Sequence, residues 1–255
     1  MSFVDLHAHL IPGLDDGPAD VKETLALLEL AHAGGPRSLV ATPHRFLPSF
    51  PTTPRAAVAD TFAHLVAAFA DLSLQPEFAY LAEMTLYLGS ENYLCAEFLA
   101  ALDSGQVIPL NDSRYLLVEF PQFMAFEMVL SAAKRILAAG YMPVLAHVER
   151  YEFFHKDPQR LAGLAAMGCV AQLNASTLLG GHGSHGSHGP RGERQARFAA
   201  ALVRQNLIQI IASDTHDSRR RPPDLSRAHQ HLEAAGFASQ ARRWMWENPA
   251  RVLAN

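Results

Sequence analysis

The chain has little cysteine: Cys95 and Cys169 are the only two in 255 residues. Two thiols argue against a disulfide framework and fit a reducing cytoplasm. Neither is followed six positions later by arginine, since Ala101 and Ala175 stand there instead. The Cys-x5-Arg loop of thiol-based phosphatases is therefore missing, and both cysteines read as buried, inert side chains. There is no apolar run of membrane-spanning length and no signal-peptide pattern, because Met1-Ser2-Phe3-Val4-Asp5 leads straight into a strand-like run. An excess of positive charge is lacking as well. With 21 Lys+Arg against 25 Asp+Glu, the net charge is −4 and the pI ≈ 6.3, so no global basic field recruits nucleic acid. The expectation is a cytoplasmic protein with no membrane insertion.

What is present is an alternation of strand-like and helix-like segments along almost the whole length. After Phe3-Val4-Asp5-Leu6 and a Gly/Pro/Asp-rich loop, Asp20 with Glu23 forms a capping-box pattern. Val21, Leu25 and Leu28 then follow at helical spacing, and Gly34-Gly35 closes the element. A second strand reaches His44, and Thr53-Pro54 reads as an N-cap with proline at the first helical position. Further strands are expected near 78–82, 115–119, 143–147, 169–173 and 208–212. Helices are expected near 91–103, 124–139, 158–167, 191–206 and 224–236, with a last one from about Ser239. Seven strands, each followed by a helix, predict an α/β fold: a distorted seven-stranded (β/α) barrel, one strand short of the usual eight. An open doubly wound sheet is the competing architecture, but it would gather its site at one switch point. The reading is a single domain over 1–255, interrupted by a flexible Gly/His-rich insertion at 180–190. His182, His185 and His188 of that insertion offer a second reading, as metal scavengers.

Metal-binding side chains fall just after these strands. His7 and His9 follow the first, His44 the second, and Glu83 the run Phe78-Ala79-Tyr80-Leu81. Glu119 follows Tyr115-Leu116-Leu117-Val118, His147 follows Pro143-Val144-Leu145-Ala146, and Asp214 and His216 follow Ile208-Gln209-Ile210-Ile211. In a parallel barrel all strand ends meet on one face, so scattered residues become one cluster. Asp5, His7 and His9 share one side of a strand, and Asp5 is placed to orient an imidazole. Taken alone, Asp15-Asp16-Gly17 reads as a turn. Together, four carboxylates (Asp16, Glu83, Glu119, Asp214) and five imidazoles (His7, His9, His44, His147, His216) exceed what one four-coordinate ion takes. They suit two or three ions with bridging carboxylates, and mixed nitrogen and oxygen donors fit manganese, iron or zinc better than calcium or magnesium. Three divalent ions opposed by four carboxylates leave a net charge of roughly +2, which draws in a dianionic phosphate monoester. A bridging water of lowered pKa is the expected nucleophile for in-line displacement.

These motifs resemble the PHP superfamily (polymerase and histidinol phosphatase). More narrowly, they resemble the metal-dependent protein-tyrosine phosphatases of bacterial capsule and exopolysaccharide loci. The match runs through Asp5-Leu6-His7-Ala8-His9, Asp15-Asp16-Gly17-Pro18 and Ala41-Thr42-Pro43-His44-Arg45. Leu110-Asn111-Asp112-Ser113-Arg114-Tyr115, Ala146-His147-Val148-Glu149-Arg150-Tyr151, Ala212-Ser213-Asp214-Thr215-His216, Arg221-Pro222-Pro223 and Glu247-Asn248-Pro249 complete it. The resemblance implies the PHP variant of the TIM-barrel-like fold. It also implies phosphotyrosine hydrolysis by a metal-bound hydroxide, with the substrate on a tyrosine autokinase that controls polysaccharide export. A small-molecule phosphomonoesterase such as a histidinol-phosphate phosphatase is the alternative. A nuclease-type PHP module and a non-catalytic metal-bound regulator are more distant ones.

By the same resemblance, His7, His9, Asp16, His44, Glu83, Glu119, His147, Asp214 and His216 are the metal ligands. Arg150 and Arg221 are phosphate contacts, as the bidentate guanidinium fork allows. Each arginine has a plainer reading: a salt bridge for Arg150, a solvated member of Arg219-Arg220-Arg221 for Arg221. Arg45 is a third candidate. Leu81-Ala82-Glu83-Met84-Thr85-Leu86-Tyr87 departs from the family pattern, which makes Glu91 a rival to Glu83.

Overall fold

The protein was described from a computed structural model covering residues 2–180, 189–223 and 225–255. His182, His185 and His188 lie outside the described residues. Nine short strands are present among those described: β1 (Phe3–Ala8), β2 (Pro36–Ala41), β3 (His44–Arg45), β4 (Thr85–Leu88), β5 (Glu91–Tyr93), β6 (Tyr115–Glu119), β7 (Met142–Leu145), β8 (Val170–Asn174) and β9 (Ile210–Ala212). Every pairing between them is parallel. They form a sheet in the order β1-β2-β4 and a second in the order β3-β5-β6-β7-β8-β9. The nine segments exceed the seven strands expected because Thr42-Pro43 separates β2 from β3 and Gly89-Ser90 separates β4 from β5. Proline cannot donate to a ladder, and a Cβ on Gly89 would lie 2.8 Å from Leu110 Cδ2 and 2.9 Å from Val40 Cγ1. The backbone nevertheless carries on through both breaks, with Gly89 N–H donating to the Ala41 carbonyl (2.9 Å) and Glu91 N–H to that of Pro43 (3.1 Å). At the other end, Asp214 N–H donates to the His7 carbonyl (2.8 Å) and His9 N–H to that of Thr215 (2.9 Å).

The strands β6, β8 and β9 are buried on both faces, as parallel strands covered by helices are, whereas β4 is only half-buried. Along β6, Leu117 packs with Leu6, Val40, Val144 and Ile210 in one apolar cluster. Its neighbours Leu116 and Val118 point the other way, into a cluster shared with Val129, Ile136, Leu161 and Leu202 from the covering helices. Each such buried aliphatic side chain contributes about 1.5–3 kcal/mol. No helix among the described residues is long and apolar enough to cross a membrane.

The local signals hold with small shifts. Asp20 caps the helix Val21–Ala33 by accepting from Glu23 N–H, while Glu23 reaches back to Ala19 N–H (2.7 Å). The helix Arg55–Leu72 begins one residue later than expected: Pro54 takes the cap position and no side chain caps it. One element is of another type altogether. Phe78-Ala79-Tyr80-Leu81 is not a strand but part of a 3-10 helix, Pro76–Glu83. Pro76 presets a helical φ, and Phe78 and Leu81, three apart, stack on one side of such a turn. The strand beside β2 is instead Thr85–Leu88, and the helix expected from residue 91 begins only at Ala96.

Candidate metal centre

Imidazoles and carboxylates from seven segments converge at the C-terminal ends of the strands. His7 Nε2 lies 3.3 Å from His9 Nε2, 3.2 Å from Glu91 Oε2 and 3.3 Å from Asp214 Oδ1. His44 Nδ1 lies 3.0 Å from Glu91 Oε2, and its Nε2 lies 3.4 Å from Asp16 Oδ1. His147 Nε2 meets Glu91 Oε1 at 2.9 Å and Glu119 Oε1 at 3.7 Å. His216 Nε2 is 3.2 Å from Asp16 Oδ1. Glu91 is thus at the centre, touching four imidazoles, and it is fully buried.

Glu83 is not in this cluster. Its side chain is 62% exposed on the outer surface, with its carboxylate on His32 (2.9 Å) and Arg37 (3.5 Å). The strand-end position expected for Glu83 rests on Phe78–Leu81 being a strand, and that segment is a 3-10 turn. Once Thr85–Leu88 is that strand, the strand-end acid is Glu91. The other eight expected ligands are brought together: His7, His9, Asp16, His44, Glu119, His147, Asp214 and His216.

The orienting groups differ from the expectation. Asp5 does not touch an imidazole; its carboxylate accepts the backbone N–H of Ser213 (3.0 Å) and of His7 (3.4 Å), tying β1 to the segment after β9. Asp15 takes the expected part instead, its Oδ2 lying 2.6 Å from His9 Nδ1 and accepting His44 N–H at 2.8 Å. Gln172 Oε1 sits 3.2 Å from His7 Nδ1 and accepts His147 N–H (2.8 Å), while its amide donates to Asn174 Oδ1 (2.8 Å). Asn174 in turn donates to Asp214 Oδ2 (2.7 Å). These outer partners fix ring orientation and tautomer. Two cluster residues have a left-handed backbone, His147 (φ 36°) and Asp214 (φ 56°).

Arg150 and Arg221 both line the pocket over the cluster, which has a volume of ≈ 370 Å³. Arg150 donates to Asp214 Oδ2 (2.6 Å) and Arg221 to Asp16 Oδ2 (2.8 Å). Arg221 is buried rather than a solvated member of its run, whereas Arg219 and Arg220 are exposed. Arg45 points away from the pocket: it donates to the Gln106 carbonyl and lies over the Phe46 ring.

Burial penalises charge throughout the cluster, and neighbours decide which groups keep it. Burial raises the Glu119 carboxyl, and the Glu91 charge beside it adds to the effect, to about 8. Glu91 faces the same burial, yet His7 and His44 hold it well below the usual carboxylate range. Burial pushes His216 down to about 3, helped by His9, and His147 down to about 4, helped by Arg150. His9 is the exception: burial opposes its charge, but Asp15 overcomes that and lifts it to about 10.

The His9–Asp15 pair has a consequence for the metal-free protein. Against burial, His9 lowers Asp15 to about 2 from its ordinary 3.8. A depressed carboxylate stabilises the fold above its unfolded pKa, and the contribution is lost as pH falls through the folded one. Metal-free protein should therefore lose about 2 kcal/mol between pH 4 and pH 2 that Asp15→Asn does not lose. Denaturant melts of the two forms across that range check it; parallel curves would remove the pair from the account.

Three groups in the cluster could each hold a divalent ion: His9, Asp16, His44 and His216; His7, His9, Glu91 and Asp214; and His44, Glu91 and Glu119. The atoms within each group lie within 4.8 Å of one another. His44 Nδ1, Glu91 Oε2 and Glu119 Oε2 are buried and make no hydrogen bond, although the first two are only 3.0 Å apart. Buried polar atoms without partners are costly, and a cation among these nitrogen and oxygen donors removes that cost. The residues fit metal.

A parallel α/β protein with carboxylates and imidazoles massed at its strand ends has the build of a metal-dependent hydrolase. The chain belongs to the CpsB/CapC family of capsular polysaccharide synthesis, whose model matches residues 3–254. It is 29% identical to the tyrosine-protein phosphatase CpsB of Streptococcus pneumoniae over 251 residues, covering 98% of each chain. It is 28% identical to the tyrosine-protein phosphatase YwqE of Bacillus subtilis over 260 residues, covering 99% of this chain and 92% of that one. A crystal structure from the work on YwqE of Bacillus subtilis and CpsB of Streptococcus pneumoniae, described as unique metal-dependent tyrosine phosphatases, superposes with a TM-score of 0.83 at 26% identity. It covers 99% of this chain and 94% of that one. The family resemblance read from the motifs is borne out.

Proposed function

We propose that this protein hydrolyses phosphotyrosine on proteins, using two or three divalent transition-metal ions, with manganese the first choice. The observation that carries the reading is the placement of Arg150 and Arg221 over a pocket floored by Glu91, Glu119 and Asp214. Such ions supply Lewis acidity toward a phosphoryl oxygen and make water nucleophilic near neutral pH. The chain's own part is positional. His7, His9, Glu91 and Asp214 would hold one ion; His9, Asp16, His44 and His216 surround a second place; His44, Glu91 and Glu119 surround a third, with His147 against both acids. Gln172 and Asp15 hold the rings in place. Arg150 and Arg221 offer guanidinium N–H groups to phosphate oxygens and stabilise charge developing on them.

We infer further that the interrupted strands count once each. The ladder is then a seven-stranded barrel, closed where Ala8 meets Thr215, and its one mouth gathers the ligands. The substrate protein we propose is a bacterial tyrosine kinase of a polysaccharide export system. The similarity to CpsB and YwqE supports this, and the two free cysteines suit a cytoplasmic location.

Chelation tests the reading. Phosphatase activity on a phosphotyrosine peptide should vanish with a chelator, return with manganese, and survive Cys95→Ala with Cys169→Ala. Loss of activity in that folded double variant would overturn the metal mechanism. Faster turnover of histidinol phosphate than of the peptide would replace the substrate.

A further inference from the structure

Outside the ligand cluster, the pocket has two apolar side chains, Leu47 and Phe50; its other lining residues are polar or charged. Both come from the loop that follows β3, and both are half-buried at the rim. A wall of this kind has no use for phosphate, which is bound by charge and hydrogen bonds. It suits whatever is attached to the phosphate on its far side. We propose that Leu47 and Phe50 form an aryl-binding wall that selects phosphate esters with an aromatic leaving group over those with an alkyl one. The proposal deepens the phosphotyrosine reading and rests on it only for the identity of the natural ester.

The wall is held in place. Phe46, next in the chain to Leu47, has a left-handed backbone (φ 64°) and buries its ring against Phe98, centroids 5.9 Å apart. The Arg45 guanidinium lies 4.6 Å over the outer face of that ring, and Arg45 is itself fixed by the Gln106 carbonyl (2.9 Å). The Phe46 carbonyl receives the Cys95 thiol at 3.7 Å. Beyond this anchor, Phe50 N–H donates to the Leu47 carbonyl (3.0 Å), closing a tight turn. Pro48 and Pro51 restrict the backbone on either side. The Phe50 ring lies parallel to that of His44, with an interplanar angle of 7° and centroids 6.3 Å apart. A ring fixed before the ligand arrives gives up little freedom on binding, so its contact is expressed as affinity.

The position explains a choice that the charged floor leaves open. Every phosphate monoester meets the same acids, imidazoles and arginines. The part that differs between a phosphotyrosine and an alkyl phosphate is the group beyond the bridging oxygen, and an aromatic pair is worth roughly two- to tenfold in affinity beyond area burial.

The test is binding of two non-hydrolysable probes, phenylphosphonate and methylphosphonate, to manganese-loaded protein by calorimetry. Wild type should bind the phenyl probe about tenfold more tightly than the methyl one. In Phe50→Ala, and in Phe50→Ala with Leu47→Ala, that ratio should fall toward one, and Phe50→Trp should restore it. Equal affinities in wild type would overturn the proposal. So would a ratio that the alanine variants leave unchanged, or affinities for both probes that fall together, since the loop would then only position His44. A wild-type protein that prefers the phenyl probe yet hydrolyses no phosphotyrosine peptide would keep the wall and sink the phosphotyrosine reading.

Discussion

Glu91→Gln should lower kcat/KM on a phosphotyrosine peptide by more than roughly 100-fold, beyond the usual cost of losing an outer-shell partner. Bound metal, read by elemental analysis, should fall with it, whereas Glu83→Gln should leave both near wild type. The contrast follows from position. Glu91 Oε2 lies within 3.4 Å of His7, His9 and His44, and Oε1 meets His147 at 2.9 Å. A carboxamide keeps the shape but loses the charge and one of the two acceptor oxygens, so it would serve poorly the two candidate ligand groups that share Glu91. Glu83 faces solvent beside His32 and Arg37, far from these contacts in the fold. Activity lost in the Glu83 variant and kept in the Glu91 variant would return the acid of this region to the place first expected.

Removal of the Arg150 guanidinium is the second large effect. Arg150→Ala should cost about 10²–10³ in kcat, the range for deleting one donor that stabilises transition-state charge. Arg150→Lys should fall between, because it keeps the positive charge but not the planar fork. Deletion also leaves Asp214 Oδ2 with only the Asn174 amide as a hydrogen-bond partner, so some stability should be lost. Measuring kcat and KM beside the melting temperature separates the two roles. An alanine variant with normal kcat and a lowered melting temperature would make Arg150 a structural ion pair.

Most of the site was legible because parallel strands end together, and short apolar runs followed by His, Asp or Glu mark those ends. Applied to His7, His44, Glu119, His147 and Asp214, the rule names side chains that the structure brings together in one cluster. It misplaced the acid of the third unit because Pro76 and the Phe78–Leu81 spacing specify a 3-10 turn that looks like a strand at this length. Thr85–Leu88 carried the better signal, a β-rich run ending at Gly89-Ser90 just before Glu91. Asp15, Gln172 and Asn174 were out of reach for another reason. The cluster side chains they orient, His9, His7 and Asp214, are from six to 165 residues away, and no local period encodes such pairs. The two interruptions that make nine strand segments are seen only in the structure, at Thr42-Pro43 and Gly89-Ser90, where hydrogen bonding resumes beyond them.

The left-handed backbone at His147 and Asp214 sets a limit on how this scaffold can be improved. Neither residue is glycine, so each holds a conformation that costs of order 1–3 kcal/mol and persists only where its surroundings enforce it. Glycine at either position would relax the backbone but strip Glu91 of His147, or Arg150 and Asn174 of Asp214, and the loss of those buried partners outweighs the strain relieved. Even a search for hardier variants that scored only folding would therefore keep both side chains, and with them the strain and the centre.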